Sequence, residues 1–386
     1  MTPHARRPYL SRLIVIVLIL VGVGCAADYR YLVYIGTYTD KGSKGIYAYR
    51  FDPASGELGD IGLAATTENP SFLAVAPDNG YLYALNEINK FNGGQAGAVT
   101  TFALDRTSGK LTQLQQVSSL GPGPAHLSLD RAGKFVLVAN YDGGSIAVFP
   151  IEKGGTLGTR TAFVQHSGSS VNKDRQAGPH AHEIQATADN KFVLVADLGL
   201  DELFVYRFDA KTGGLSPANP PFVKVAPGSG PRHFALAPNG KFVYLVNEMS
   251  STVIVYSFDA LSGRLTALQT ISTLPSDFKG ENTTAEIVTD ADGKFLYASN
   301  RGDDSIAIFA IDQKTGKLSP VDRVKTGGQE PRHFTFDPTG KWLFAENQNS
   351  NDIRLFQVDT KSGRLTPTSH TIQVNSPVCV VFVPSR

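Results

Sequence analysis

The sequence predicts an all-β, seven-bladed β-propeller: one domain over residues 28–386, four strands to a blade, the ring closed by the C-terminal strand completing blade one. Three observations predict it. A unit returns seven times, about every fifty residues. Short alternating apolar runs fill every unit, and no long 3.6-residue periodicity separates them. The two ends of the chain complement each other.

The middle of the unit reads Gly-Lys-Phe followed by an apolar stretch ending in Asn, as in Gly133-Lys134-Phe135 to Asn140, Gly240-Lys241-Phe242 to Asn247 and Gly293-Lys294-Phe295 to Asn300. Gly340-Lys341-Trp342 to Asn347 is the aromatic variant. A second alternation follows, such as Ser145-Ile146-Ala147-Val148-Phe149 or Thr252-Val253-Ile254-Val255-Tyr256, and then a Ser/Thr-Gly-x-Leu turn with its glycine at Gly56, Gly109, Gly213, Gly263, Gly316 or Gly363. Four strands at this period match a propeller blade, and seven blades close a ring. The first unit begins at its second strand, Tyr31 to Ile35, while the last is followed by a surplus strand, Val378 to Val383. That strand is expected to complete blade one and to remove the open edges.

The first 27 residues stand outside the repeat. Arg6, Arg7 and Arg12 precede the apolar run Leu13 to Val23 and the small residues Gly24-Cys25-Ala26-Ala27, the layout of a secretory signal cleaved after Ala27. The run is shorter than a membrane span requires. The expectation is therefore an exported protein, periplasmic or secreted, with Cys25 a candidate lipid anchor and its only expected link to a membrane. Gly22 argues against lipidation, because a large aliphatic residue is expected there. Only Cys25 and Cys379 are present, so no disulfide framework and no cysteine-rich metal site is expected. A net charge of +1 gives no electrostatic case for nucleic acid.

The units differ from one another at two places. Nine and eight residues before the repeated Lys, the first strands carry Ser71-Phe72, Ala125-His126, His182-Glu183, Arg232-His233, Ala285-Glu286 and Arg332-His333. Strand alternation is expected to send the two members of each pair to opposite faces. After the Asn that ends the second strand come Glu87, Tyr141, Leu198, Glu248, Arg301 and Gln348. First strands line a propeller's channel, so His182, Arg232, Glu248, Arg301 and Arg332, from different blades, are expected to converge at one end of it. His126, His233 and His333 recur at one position in three blades and are read as structural. His180 and His182 at i, i+2 form a weak zinc signal without a third ligand, and neither metal nor cofactor is expected. No Gly-x-Ser-x-Gly elbow, P-loop or dinucleotide fingerprint is present.

Gly178-Pro179-His180-Ala181-His182, Asp197-Leu198-Gly199, Gly230-Pro231-Arg232-His233, Asn247-Glu248, Ser299-Asn300-Arg301-Gly302 and Asn347-Gln348 together resemble the seven-bladed propeller lactonases. That family includes the propeller-type 6-phosphogluconolactonases of bacteria and the fungal 3-carboxy-cis,cis-muconate cyclase. The resemblance covers the whole mature chain. It implies that the cyclase's catalytic or substrate-binding His, Arg, Glu and Arg fall on His182, Arg232, Glu248 and Arg301. Arg332, Gln348, Glu286 and Glu87 are the further substrate-binding candidates.

The expected activity is that of a carboxylic ester hydrolase opening a sugar lactone, 6-phosphoglucono-δ-lactone to 6-phosphogluconate in the family's pattern. Water would be activated by His182 or Glu248, and guanidinium groups would stabilise the oxyanion and hold the anionic group. The expected partner is a small-molecule lactone met by a monomer. Two other readings stay open: a secreted propeller that binds a glycan or protein without turnover, and a muconate-cyclase-type isomerase.

Overall fold

The computed structural model describes residues 1–4 and 27–386; the charged and apolar parts of the expected leader, with Cys25, lie outside the described residues. The described chain forms seven four-stranded antiparallel sheets arranged as propeller blades. From the axis outward, each later blade follows chain order. Blade one instead takes its innermost strand from the C-terminus: Pro377–Pro384 pairs with Tyr31–Thr37, Tyr31 opposite Pro384 and Ile35 opposite Val380. The closure expected from the chain ends is therefore present.

The two repeated motifs hold neighbouring blades together. Except at Gly109, which meets Ile61 and Leu32, the glycine of the Ser/Thr-Gly-x-Leu turn packs against the aromatic residue that starts the second strand one blade back. A Cβ on Gly316 would come 2.4 Å from Phe242, one on Gly363 2.5 Å from Phe295, and one on Gly213 2.5 Å from Phe135. At the ring junction Gly56 meets Trp342, whose indole Nε1 donates to the Pro53 carbonyl at 3.0 Å. Gly316 also has a φ of +72°, which only glycine adopts freely. Gly316→Ala is accordingly expected to destabilise the fold by about 2–4 kcal/mol, from left-handed strain and overpacking together. Denaturant unfolding of the purified variant checks this, and a loss below about 1 kcal/mol would show that the blades can shift apart at little cost.

The Asn that ends the second strand is a staple in blades two, three and six. Asn140 is fully buried and donates to the Ser119 carbonyl and Ser145 Oγ, and Asn300 reaches the Thr273 carbonyl. Each ties the incoming connection to its own blade, which fixes the residue that follows at the end of the axis where the inner strands begin. In blade four Asp197 takes the Asn position and accepts from the backbone of His180 and Gly199.

Candidate active site

The inner strands, among them Pro124–Leu129, Ala181–Ala186, Pro231–Leu236, Thr283–Thr289 and Pro331–Phe336, run in the same direction, so their first residues gather at one mouth. Strict alternation fails there. The register slips between Pro231 and His233, between Ala181 and Glu183, between Pro124 and His126, and between Pro331 and His333. A bulge places two residues opposite one. Both members of each pair therefore reach the axis, in two layers, which corrects the expectation of opposite faces.

In the outer layer Glu248 is the hub. Its Oε2 accepts from Arg232 Nε at 3.0 Å and lies 3.0 Å from Arg301 Nη2, while Oε1 accepts from Arg175 Nη2 at 2.6 Å. The guanidinium groups are themselves braced: Arg232 Nη1 donates to the Ala285 carbonyl at 2.6 Å, and Arg301 Nη2 to the Thr284 carbonyl at 2.9 Å. Arg301 Nε is buried and without a partner among the described residues. Burial pushes the Glu248 carboxyl up, but Arg301 and Arg232 outweigh it and hold it down to about 2. Burial, with Arg301 and Arg332, pulls Arg232 down to about 9, so it remains cationic at neutral pH.

His182 stands beside this hub, its ring 4.9 Å from that of His233 and 5.3 Å from that of Tyr141. Its Nδ1 is buried and unpartnered among the described residues. Burial first, then Arg232, drives its pKa well below the ordinary 6.5. The imidazole is neutral at pH 7 and has a lone pair to offer. His180 is turned away to the Tyr141 carbonyl at 2.9 Å, and its ring stacks on Tyr141.

Across the mouth the second half of the site is built on blades one, two and seven. Tyr38 donates to Glu87 Oε2 at 2.8 Å, and Arg332 lies 5.3 Å over the Tyr38 ring. Glu330, held at a φ of +61°, sits 3.7 Å from Arg301 and links the two halves. Gln348 follows the Asn of blade seven and is half-buried; its backbone NH bonds the Glu330 carbonyl. Three of these residues were not singled out from sequence. Tyr38 occupies in blade one the place that Glu248 occupies in blade five, so lining up the first unit would have found it. Glu330 takes the left-handed position that Gly123 and Gly230 take in their blades, so the same line-up would have found it, whereas Arg175 lies in a connection without counterpart in the repeat.

Glu286 belongs to the inner layer. It accepts from His233 Nδ1 at 3.1 Å and lies 3.7 Å from His333 Nε2, while His333 Nδ1 is 2.7 Å from the buried Glu346. His126, His233, His333 and Phe72 pack ring against ring and plug the channel. Beyond the plug a chamber of about 550 Å³ opens toward the opposite mouth, bordered by Glu183, Gln185 and Arg131. The repeated histidines thus act as a floor under the arginine cluster, the structural role read from their recurrence.

Residues 32–382 match the family model described as Lactonase, 7-bladed beta-propeller. The chain belongs to the seven-bladed β-propeller lactonases. A 6-phosphogluconolactonase of Bacillus subtilis (strain 168) is 38% identical over 354 residues, covering 92% of this chain and 99% of the relative. A 6-phosphogluconolactonase of Formosa agariphila is 34% identical over 310 residues, 79% of this chain and 86% of the relative. Among solved structures, the periplasmic gluconolactonase of Pseudomonas aeruginosa superposes with a TM-score of 0.87 at 38% identity, over 92% of this chain and 99% of that one. Membership in this lactonase family makes the chain a lactone hydrolase, within the carboxylic ester hydrolases expected from the sequence. Within this ring, the bulged inner strands and the residues after each Asn carry the side chains that differ from blade to blade at the mouth.

Proposed function

We propose that the chain hydrolyses a sugar lactone carrying an anionic group, 6-phosphoglucono-δ-lactone being the family's model substrate, at the mouth formed by His182, Arg232, Glu248 and Arg301. The observation that supports this most is the pinned carboxylate of Glu248. It fixes two guanidinium groups side by side, next to a histidine that stays neutral. His182 takes the proton from the attacking water and returns it to the ring oxygen as the ester bond breaks. Arg232 and Arg301 hold the carbonyl oxygen as it gains charge. Glu248, ionised down to about pH 2 and engaged by three guanidinium groups, is a poor base and serves as the orienting partner. Arg332, Glu87 and Gln348 border the space where the sugar hydroxyls rest.

The pH dependence tests the base. His182 must be neutral to act, and its pKa lies well below 6.5, so its neutral form persists as pH falls through that value. The kcat/KM of the enzyme-catalysed reaction, corrected for spontaneous opening, is expected to stay level through pH 6.5 and to fall only in more acid solution. An inflection at or above 6.5 would remove His182 from the role. A pH-stat time course with the mature chain from Asp28, comparing 6-phosphoglucono-δ-lactone with glucono-δ-lactone and an enzyme-free control, tests the reaction itself. No acceleration of either lactone by folded protein would leave a binding propeller, or a cyclase acting on an unsaturated carboxylic acid, as the better reading. Export, with cleavage after Ala27, is proposed on the leader-like residues before Asp28; the Pseudomonas relative being a periplasmic gluconolactonase is consistent with it.

A further inference from the structure

Fifteen residues of chain, 166–180, join the outermost strand of blade three, Ala162–Gln165, to the inner strand of blade four, Ala181–Ala186. It is the longest of the connections between blades, and an ordered connection of this kind is usually functional. It is also anchored from below. Buried His166 bonds Asp197 through Nδ1 at 2.6 Å and Tyr206 through Nε2 at 2.9 Å. Ser170 donates to Asp201, and the fully buried Gln176 donates to the Leu198 carbonyl at 2.8 Å. Between these anchors Asn172 accepts from the backbone NH groups of Asp174 and Arg175, closing a tight turn that presents Arg175 to the mouth.

Arg175 differs from the other arginines of the cluster. Arg232 and Arg301 are buried, 2% and 9% exposed, and they already neutralise Glu248 between them. The Arg175 side chain is 40% exposed. It reaches Tyr141 Oη and Glu248 through a single nitrogen, Nη2, at 3.2 and 2.6 Å, so Nε and Nη1 remain free for a ligand among the described residues. The mouth gathers four guanidinium groups (Arg175, Arg232, Arg301, Arg332) around the carboxyl groups of Glu87, Glu248 and Glu330, with Glu286 beneath Arg232, and His182 is neutral. Arg332, over the Tyr38 ring, and Arg175 both keep nitrogens free of hydrogen bonds among the described residues, and Arg175 is the one carried by the long connection, with its side chain 40% exposed. A guanidinium group with a free edge suits a phosphate or carboxylate.

We infer that Arg175 is the specificity residue of the site: it selects lactones bearing an anionic group distant from the ring carbonyl over neutral ones. This rests on the lactonase reading above. Tyr141 and Glu248 hold the guanidinium group over the mouth before substrate arrives, so little ordering is needed on binding. The carbonyl chemistry stays with the buried pair.

The test compares two lactones in two variants. Arg175→Gln is expected to reduce the preference for 6-phosphoglucono-δ-lactone over glucono-δ-lactone, as a ratio of kcat/KM, by about tenfold to hundredfold, chiefly through KM. Arg175→Lys should recover part of that preference. If both lactones are affected equally in Arg175→Gln, Arg175 merely supports Glu248 and the inference is overturned. Calorimetric titration with 6-phosphogluconate and with gluconate gives a readout independent of turnover. Tighter binding of the phosphorylated acid by the natural chain, lost in Arg175→Gln, supports the assignment even if neither lactone is opened. Equal binding of the two acids, or unchanged binding in the variant, overturns it, and circular dichroism of each variant confirms that the comparison is between folded proteins.

Discussion

Replacing Arg232 with alanine is expected to lower kcat/KM for lactone opening by about 10²–10³-fold in a chain that still folds. The magnitude follows from its place. Arg232 is held by Glu248 through Nε and by the Ala285 carbonyl through Nη1, and it closes on the space next to His182. Preorganised donors of this kind stabilise charge that develops only in the transition state, so the loss should fall mainly on kcat. Folding should survive because Glu248 keeps Arg301 and Arg175 as partners; about 1–3 kcal/mol is the expected cost, largely for the Ala285 carbonyl left without its donor. Arg232 is also the second cause, after burial, of the lowered pKa of His182. Its removal should therefore move the acid limb of the pH profile toward 6.5. Arg232→Lys should not restore turnover, since an ammonium group places its donors on one nitrogen and cannot reproduce the planar fork that bonds Glu248 and the Ala285 carbonyl from two. Full activity in Arg232→Ala would end the assignment.

The ring was legible in the sequence because each blade encodes itself locally. Period-two alternation, the buried Asn after the second strand and the turn glycine each act within about fifty residues, and seven copies reinforce one another. Even the closure could be read, since Tyr31 to Ile35 lacks an inner neighbour and Val378 to Val383 lacks an outer one. Convergence of Arg232, Glu248 and Arg301 was legible for the same reason: equivalent positions of a closed ring must meet. The bulge was not. An extra residue in a strand leaves no mark in a pattern of period two, so Arg232 and His233 appeared to face apart when both reach the axis. Arg175 was out of reach for a different reason. It belongs to a connection without counterpart in the other blades, and its position depends on His166, Ser170 and Gln176 finding partners in blade four. A repeat reveals what its copies share and where they differ, but not what is inserted between them.

Glu248→Ala is expected to be the most damaging single change at the mouth for stability, costing about 3–5 kcal/mol along with most of the activity. The side chain is nearly fully buried, and it stands between two buried guanidinium groups that also repel each other: Arg301 is the largest charge acting to lower the pKa of Arg232. Removing the carboxylate leaves both cations desolvated and adjacent, with Arg175 above them losing its stronger bond. Glu248→Gln keeps the shape and one acceptor oxygen, so it should cost less, about 1–3 kcal/mol, while still releasing the arginines from their fixed geometry. The comparison that isolates the electrostatic part is a double-mutant cycle with Arg301→Ala. Once Glu248 is gone, Arg301 is a liability, and its removal should be far less costly than in the natural chain, or even favourable. A coupling of about 1–3 kcal/mol in denaturant unfolding is therefore expected. Strict additivity would mean that Glu248 and Arg301 do not share one buried network, and the picture of a carboxylate holding the oxyanion-binding arginines in place would have to be abandoned.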